Sequence, residues 1–437
     1  MQDSLHLLKT RRFLPLFTTQ FLGAFNDNLF RTSMVLLVIY GIYRDAEQEA
    51  AFSAIAGGLF ILPFFLLSAL AGQLADAHDK ARIIRLVKTA EILIMLFGAA
   101  GLYLHSIPLL LVALTAMGIH STFFGPIKYA ILPQHLEPGE VLGGTGLVEA
   151  GTYIAILGGT ILGGLLVIER GDGTYHAELA AVAVIVVALV GRIAGGLVPA
   201  ARPADEAEIP GYPKRGMDWH IVRASITLVS GTLHIPRLFL AILSISFFWA
   251  MGAVLAAQFP PLVKNVFGAD QSVATLFLAV FSVGVAVGSV AINRLLAGQV
   301  AARFAPASAL MMGAFVLILY LLSYNWATPQ GELVGMRQFL SDARGWAVVL
   351  DLFGVAVAGG MFVVPLYAFL TTTVPKSETA RTVAANNIVN SGAMVAATVL
   401  LAGLIFLGVS VAETLILVAV ASVVAAWLGW KLHQACD

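Results

Sequence analysis

Apolar runs of about 20 residues, separated by short polar connectors, recur along the whole chain, and each is long enough to cross a bilayer's hydrocarbon. Inside a membrane no water satisfies peptide groups, so such runs fold as α-helices that bond their own backbone. Candidate spans lie at residues 13–43, 54–74, 83–104, 108–127, 142–168 and 177–198. A second series lies at 238–263, 273–296, 306–324, 347–372, 383–407 and 414–432. The pattern is six spans, a polar interruption from Ala200 to Pro236, and six more. Charged residues make up 11% of the 437 and hydrophobic ones 59%, with a mean hydropathy of +0.90. A soluble domain carries roughly 25% charged residues, so no water-soluble core can absorb this much apolar surface. The expected fold class is an all-α, multi-pass membrane protein with twelve transmembrane helices in two six-helix bundles.

The basic residues orient this series independently. If the spans alternate, 19 of the 25 Lys and Arg fall on one side and 5 on the other, with Arg31 inside the first span. Positive charge is retained on the cytoplasmic face. Both termini are therefore expected in the cytoplasm, and an odd number of spans would scramble the split. The halves run 1–199 and 237–437, joined by a cytoplasmic linker at 200–236. Residues 201–214 are Pro-rich and mixed in charge, the composition of a flexible tether. Next, Val222, Ile226, Val229 and Leu233 recur at helical spacing opposite Arg223, Thr227 and Ser230, with Trp219 ahead of them. This predicts either an amphipathic helix on the cytoplasmic membrane face or a linker helix packed on the bundle. Zero formal net charge argues against nucleic-acid partners, which require a basic surface. The lone cysteine, Cys436, permits no intrachain disulfide. The long first run, interrupted by Asp27, is not a cleavable signal sequence.

A charge at the bilayer centre costs about 2.5–3.5 kcal/mol on insertion scales, yet the first span holds Asn26, Asp27, Asn28 and Arg31. Asp27 and Arg31 share one helix face, and Gln20 lies earlier on the same stripe. Such a stripe lines a polar cavity for a solute that carries charge, and the chain reads as a transporter. In the fourth span Lys128 lies roughly 30 Å along the helix from Pro108, at the cytoplasmic mouth. The Gly125 and Pro126 pair should break or bend the helix beside it. There Lys128 either attracts an anionic head group or anchors the helix at the interface. In the fifth span Glu149 is flanked by Thr145, Thr152 and Tyr153 on adjacent rows, with Gly159 and Gly163 as a packing face. Glu149 suits a cation or amine site, a proton carrier, or a partner for Lys128 or Arg31.

In the second half the polarity is neutral. The eleventh span carries Asn386, Asn387, Asn390 and Ser391, the tenth Gly359, Gly360 and Pro365, and the seventh Phe247, Phe248 and Trp249. The cavity is expected to be charged on the first-half side and mostly apolar on the other, a division that suits an amphiphile. The histidines show no ligand spacing, so no metal or cofactor is expected, and His120 reads as a satisfied buried histidine.

Between the second and third spans stands Gly72-Gln73-Leu74-Ala75-Asp76, followed by a basic cluster that includes Arg82. It resembles the signature loop of the major facilitator superfamily, whose two six-span halves rock about a midplane site. Gly72 allows close helix approach, Asp76 can sit at a helix N-terminus of the other half, and Arg82 can pair with carboxylates. Together they would latch the cytoplasmic side. A degenerate echo, Asn293-Arg294-Leu295 with Gly298, occupies the equivalent loop of the second half.

Several segments also resemble, in order, the bacterial lysophospholipid transporter family (LplT type). They are Gln20 to Asn28, Pro126 to Tyr129, Gly146 to Ala150, Phe247 to Trp249, Gly360 to Leu366, and Asn387-x-x-x-Ser391. The resemblance implies movement of lysophospholipids such as lysophosphatidylethanolamine from the periplasmic to the cytoplasmic leaflet of the inner membrane by alternating access. A cytoplasmic acyltransferase or acyl-ACP synthetase would then restore the second chain. The resemblance carries over Asp27, Asn28, Lys128 and Glu149 as polar-site residues. Gln20, Arg31, Tyr153, Asn387 and Asn390 complete the expected cavity set. Relatives place a basic residue late in the seventh span, where this chain has Ala256, Ala257 and Gln258, which leaves Arg31 as the alternative positive charge. Arg31 or Lys128 would meet the phosphate, and Asp27 with Glu149 the amine or the opposing lysine. The expected partners are the lysophospholipid and membrane lipids, with one chain as the working unit.

Two rivals stand beside this reading. A proton-coupled exporter of small hydrophobic compounds would use Asp27 or Glu149 as its proton carrier. A membrane-embedded lipid enzyme is disfavoured: no histidine precedes an aspartate by five positions, and there is neither a Gly-x-Ser-x-Gly elbow nor a phosphate-cradling glycine loop.

Overall fold

The structure, a computed structural model, describes residues 4–42, 46–170, 174–203, 217–326 and 333–436. A 3-10 turn at Ser4–Lys9 leads to α1 (Leu14–Leu36), whose first turn holds Pro15, where a missing amide hydrogen costs nothing. A π-helical turn, Leu37–Ile42, extends it. Then come α2 (Ala46–Ala77), α3 (Lys80–Leu104), α4 (Ile107–Ala130), the short α5 (Leu132–His135), α6 (Val141–Leu165) and α7 (Glu178–Gly196). Beyond the linker follow α8 (Ile221–Leu233), α9 (Pro236–Pro261), α10 (Gln271–Leu295) and α11 (Ala305–Tyr324). The short α12 (Met336–Phe339), α13 (Ala343–Thr372), α14 (Thr379–Phe406) and α15 (Thr414–Cys436) complete the chain.

Each expected span corresponds to one long helix. Ten of these are apolar enough to cross a membrane on composition alone. The other two, α1 and α3, carry Asp27 and the Lys88–Glu91 pair into the bundle, where a hydrogen bond from Ser121 and internal pairing offset the desolvation that a lipid-facing charge would suffer.

Two local expectations are corrected. Of the break or bend expected at Gly125 and Pro126 there is no break: the fourth helix runs through to Ala130, because a mid-helix proline removes one backbone bond and neighbouring helices hold the rest. The fifth span ends at Leu165, short of residue 168, and the chain enters a two-stranded antiparallel hairpin, β1 (Ile168–Arg170) with β2 (Thr174–His176). A turn of alternating Ile, Glu and Arg has no reason to remain helical once it leaves the hydrocarbon.

α1 packs along α6 and α7, α2 along α4, and α3 along α4 and α7. Correspondingly, α9 packs on α14 and α15, α10 on α13, and α11 on α13 and α15. The two sets meet along two seams, α6 on α10 and α2 on α14. Missing side chains make these contacts tight: a Cβ on Gly146 would fall 2.3 Å from the Ser289 carbonyl oxygen, across the α6–α10 seam. At the cytoplasmic end of that seam, Asn293 Nδ2 donates to Ser4 Oγ at 3.1 Å, and Leu7 of the N-terminal turn is fully buried.

Of the two expected placements, the linker helix takes the second and packs on the bundle. α8 lies across the α2–α14 seam and buries Ala224 and Leu228 with Ala69, Ala384, Ala385 and Ile388. Of the apolar stripe, Val229 packs against this cluster and Leu233 against the larger core, while Val222 and Ile226, with Trp219 ahead of them, stay exposed. Asp218 anchors the start of α8. Its backbone amide donates to Gln73 Oε1 at 2.8 Å, and the Arg223 guanidinium grips both carboxylate oxygens at 2.8 Å. That grip holds the Asp218 carboxyl down to about 2. The expected tether at 201–214 lies outside the described residues from position 204 onward.

Candidate functional site

A cavity of about 320 Å³ opens between the two sets of helices, within the size range of small-molecule sites. The helical stripe of α1 delivers Gln20, Asp27, Asn28 and Arg31 to its wall, and α4 delivers His120, Ser121 and Lys128. Ser121 Oγ donates to Asp27 Oδ2 at 2.7 Å. Arg31 and Lys128 make no ion pair within 4 Å among the described residues. The Lys128 ammonium stands 4.7 Å from the centroid of the Tyr129 ring. Gln20 fixes α1 to α6: its Oε1 accepts from Thr152 Oγ1 at 3.0 Å and its Nε2 donates to the Val148 carbonyl at 3.4 Å. Asn28 donates back to the Ala24 carbonyl at 2.8 Å.

Below these charges an aromatic pair joins the halves. Tyr129 of α4 stacks on Tyr367 of α13, with centroids 4.6 Å apart and planes 9° from parallel. The Tyr129 hydroxyl donates to Glu149. The Tyr367 hydroxyl accepts from Trp249 Nε1 at 2.7 Å and from Asn390 Nδ2 at 3.5 Å, and Asn390 Oδ1 accepts from Ser246 Oγ at 2.7 Å.

Glu149 and Tyr153 are therefore not on the cavity wall. The Glu149 carboxylate is buried behind Tyr129, and Tyr153 meets Phe281 edge-on at 6.4 Å. The second half also departs from the mostly apolar lining expected of it. It presents Trp249, Tyr367, Asn387 and Asn390, all hydrogen-bonding groups. The apolar wall comes from Phe60, Ile61 and Phe64 of α2 with Met394 of α14, the two helices that flank one seam. On those same helices, side chains added at Gly57, Gly58 or Gly392 would meet nothing within 4 Å.

On the cytoplasmic side the seam is shut. Asp76 accepts from the backbone amides of Ala380 and Arg381, at 3.0 and 2.9 Å, at the N-terminus of α14. A Cβ on Gly72 would lie 2.6 Å from that of Ala384. Arg82 departs from its expected pairing: it is exposed and forms no ion pair among the described residues. Its place in the first turn of α3 aims it at water. Asp79 holds the loop instead, accepting from the amides of Ala81 and Ala201 at 2.9 Å each. In the echo loop Gly298 adopts φ +78°, and a Cβ there would meet the Gly139 carbonyl at 2.8 Å, so only glycine fits. The contacts between halves described here run from this surface up to Tyr153 and Phe281, about 18 Å along α6. The cavity is closed toward the cytoplasm.

One cluster is not marked by the sequence pattern. Glu91 of α3, 1% exposed, pairs with Lys88 and accepts from Asn26 Nδ2 at 3.0 Å. His120 puts Nε2 3.3 Å from Glu91 Oε2 and Nδ1 3.5 Å from Ser121 Oγ, so both ring nitrogens of this buried histidine face polar atoms. Lys88 counts as a loop cation by position, yet it is buried in a slot with no room for other side chains. Cβ atoms on Gly191, Gly195 and Gly23 would lie 3.1, 3.3 and 3.3 Å from it. The one sequence signal was the Lys88 and Glu91 spacing of a single helical turn.

The sequence profile of the Major Facilitator Superfamily matches residues 16–398. Lysophospholipid transporter LplT of Pectobacterium carotovorum subsp. carotovorum is 27% identical over 412 residues, covering 92% of this chain and 89% of that one. The transporter of the same name from Citrobacter koseri is 26% identical, covering 99% and 100%. Among solved structures, the human organic anion transporter MFSD10 superposes with a TM-score of 0.71 at 13% identity, covering 95% of this chain and 99% of that one. The Escherichia coli fucose:proton symporter FucP gives 0.69 at 14%, covering 99% of each. At such identities the structural likeness speaks to the fold alone.

Proposed function

This chain belongs to the Major Facilitator Superfamily, and from that premise we propose that it carries lysophospholipids across the bacterial inner membrane by alternating access. The membership makes it a multi-pass secondary transporter rather than an enzyme. The observation that carries the substrate reading is the division within one cavity. Two cations without ion-pair partners among the described residues, Arg31 and Lys128, stand beside Asp27, while the apolar wall lies on the α2 and α14 seam. A single-chain phospholipid has the matching division. Its phosphate would meet Lys128 or Arg31, an amine would meet Asp27, and its acyl chain would leave between α2 and α14 past Gly57, Gly58 and Gly392. The names of the 26–27% identical relatives point to the same substrate class.

The rocking bodies would be residues 1–199 and 237–437, with 200–236 as the connector. The Asp76 contact to α14 and the Tyr129–Tyr367 stack would part when the cytoplasmic side opens. Transport would run from the periplasmic to the cytoplasmic leaflet, delivering lysolipid to a cytoplasmic acyltransferase or acyl-ACP synthetase, with one chain as the working unit.

Uptake of radiolabelled lysophosphatidylethanolamine by proteoliposomes tests this. Lys128→Ala is expected to lower uptake at least about tenfold, because a charge-assisted hydrogen bond contributes about 1.5–3 kcal/mol. Normal uptake by Lys128→Ala would refute the head-group assignment. Transport of small hydrophobic cations with no response to lysolipid would favour an exporter instead.

A further inference from the structure

We infer that His120 and Glu91 form a proton site reached from the cavity through Asp27 and Ser121, and that a proton accompanies each net-anionic head group. The inference deepens the proposed function and rests on it for the identity of the head group.

The geometry is a continuous file of polar atoms leading from the cavity into the first-half bundle. Asp27 Oδ2 is 2.7 Å from Ser121 Oγ, which is 3.5 Å from His120 Nδ1, and His120 Nε2 is 3.3 Å from Glu91 Oε2. Lys88 and Asn26 hold the far side of Glu91. His120 Nδ1 is the informative atom. With the ring neutral and its hydrogen on Nε2 toward Glu91, Nδ1 is left facing Ser121 Oγ as the acceptor for one further proton.

Charge balance gives the file a purpose. The groups facing it are Asp27 and Arg31 on α1, Lys88 and Glu91 on α3, and Lys128 on α4 with Glu149 of α6 within its electrostatic reach. α2 faces it with Phe60 and Phe64, and α7 with Gly191. Arg192 of α7 turns outward, bonding Thr89 Oγ1 at 2.8 Å. Three carboxylates thus oppose three fixed cations, and with His120 neutral the set balances. A phosphodiester without an amine adds one negative charge to a site of low dielectric. The imidazole is then the group able to answer it with a positive one.

The transfer conserves protons. A hydronium ion in the cavity water protonates the Asp27 carboxylate: one O–H bond breaks on the hydronium, leaving neutral water, as one forms on Asp27. Asp27 returns that proton to Ser121 Oγ as the Ser121 hydroxyl hydrogen passes to His120 Nδ1. The resulting imidazolium donates its Nε2–H toward Glu91, whose pair with Lys88 is kept. Once the lipid has left, the steps reverse and the proton goes back to water on the side then open.

Proteoliposomes with an entrapped pH dye, given lysophosphatidylglycerol outside, test this. The expected result is luminal acidification of about one proton per lipid, with uptake falling about tenfold between pH 6 and pH 8 as external protons become scarce. His120→Gln and Ser121→Ala should carry lipid at the slow pH 8 rate, with a flat pH profile and no acidification. Lipid uptake without acidification in the unmodified protein, or unchanged acidification in His120→Gln, would overturn the inference. A substrate-free arm separates it from the lipid assignment: infrared difference spectra after a pH jump should show imidazole and carboxyl bands that His120→Gln and Glu91→Gln abolish. Those bands without any lysolipid transport would keep the proton site and remove the lipid reading. Their absence would remove the proton site whatever is carried.

Discussion

Replacing Asp76 by alanine should shift the transporter from cytoplasm-closed toward cytoplasm-open. The Asp76 carboxylate takes two backbone hydrogen bonds from the first turn of α14, at 3.0 and 2.9 Å, in a place only 6% exposed. Hydrogen bonds to a charged group contribute about 1.5–3 kcal/mol each, and a buried amide left without an acceptor is penalised on a similar scale. Part of this returns in the open state, where water reaches both partners, so a net shift of about 3 kcal/mol is reasonable. Moving a two-state ratio from 99:1 to 1:99 takes about 5.5 kcal/mol. Half of that carries a population almost wholly closed to about even. Asp76→Asn keeps an acceptor oxygen but loses the charge, and should fall between. The assay is double electron–electron resonance between labels on exposed Ala77 and Lys376, after replacing Cys436. A second, longer distance should appear in Asp76→Ala and grow from Asn to Ala. An unchanged distance distribution in a folded, monodisperse Asp76→Ala protein would refute the latch.

Other perturbations follow the same geometry. Gly392→Leu fills a face of α14 that meets nothing within 4 Å, so stability should hold while uptake of long-chain lysolipids falls more than that of short-chain ones. Gly146→Val forces a side chain against the Ser289 carbonyl, 2.3 Å from its Cβ. Overpacking of this kind costs about 1–3 kcal/mol, so the melting temperature in detergent should drop without any specific loss of lipid binding. Asp218 sits at about 2 against an ordinary 3.8, so its grip on Arg223 is complete above pH 4 and is lost as pH falls through 2. Amide exchange in the first turn of α8, corrected for intrinsic rates, should be slow at pH 5 and fast near pH 2, and Asp218→Asn should remove the difference.

Much of the architecture is legible in the sequence because membrane helices follow a simple rule: apolar length and basic loops fix span and orientation. The α1 stripe is legible for a related reason, since Asp27 and Arg31 have no cause to stand in hydrocarbon unless they face a polar space. What the sequence hides depends on contacts between distant helices. Lys88 reads as a loop cation because its slot is carved by glycines on α1 and α7. Glu149 reads as a cavity carboxylate because nothing local shows that Tyr129, one helix away, caps it. The face by which α8 meets the bundle is set by Ala224 and Leu228, while the Val222 and Ile226 side stays exposed, so the periodic pattern alone does not say which side docks.

The connector helix has a mechanical consequence. Because α8 touches both α2 and α14, those two rods cannot separate at their inner ends without α8 releasing one of them. The surface it would release combines Ala69, Ala224, Ala384 and Ala385 with the larger Leu228 and Ile388, so shedding one side of it takes several kcal/mol at about 0.8 kcal/mol per buried carbon. That is close to the strength of the carboxylate clasp beside it. The peptide that merely joins the two halves thus behaves as a weak, remakeable clip, and shortening or stiffening it should retune how long each orientation lasts.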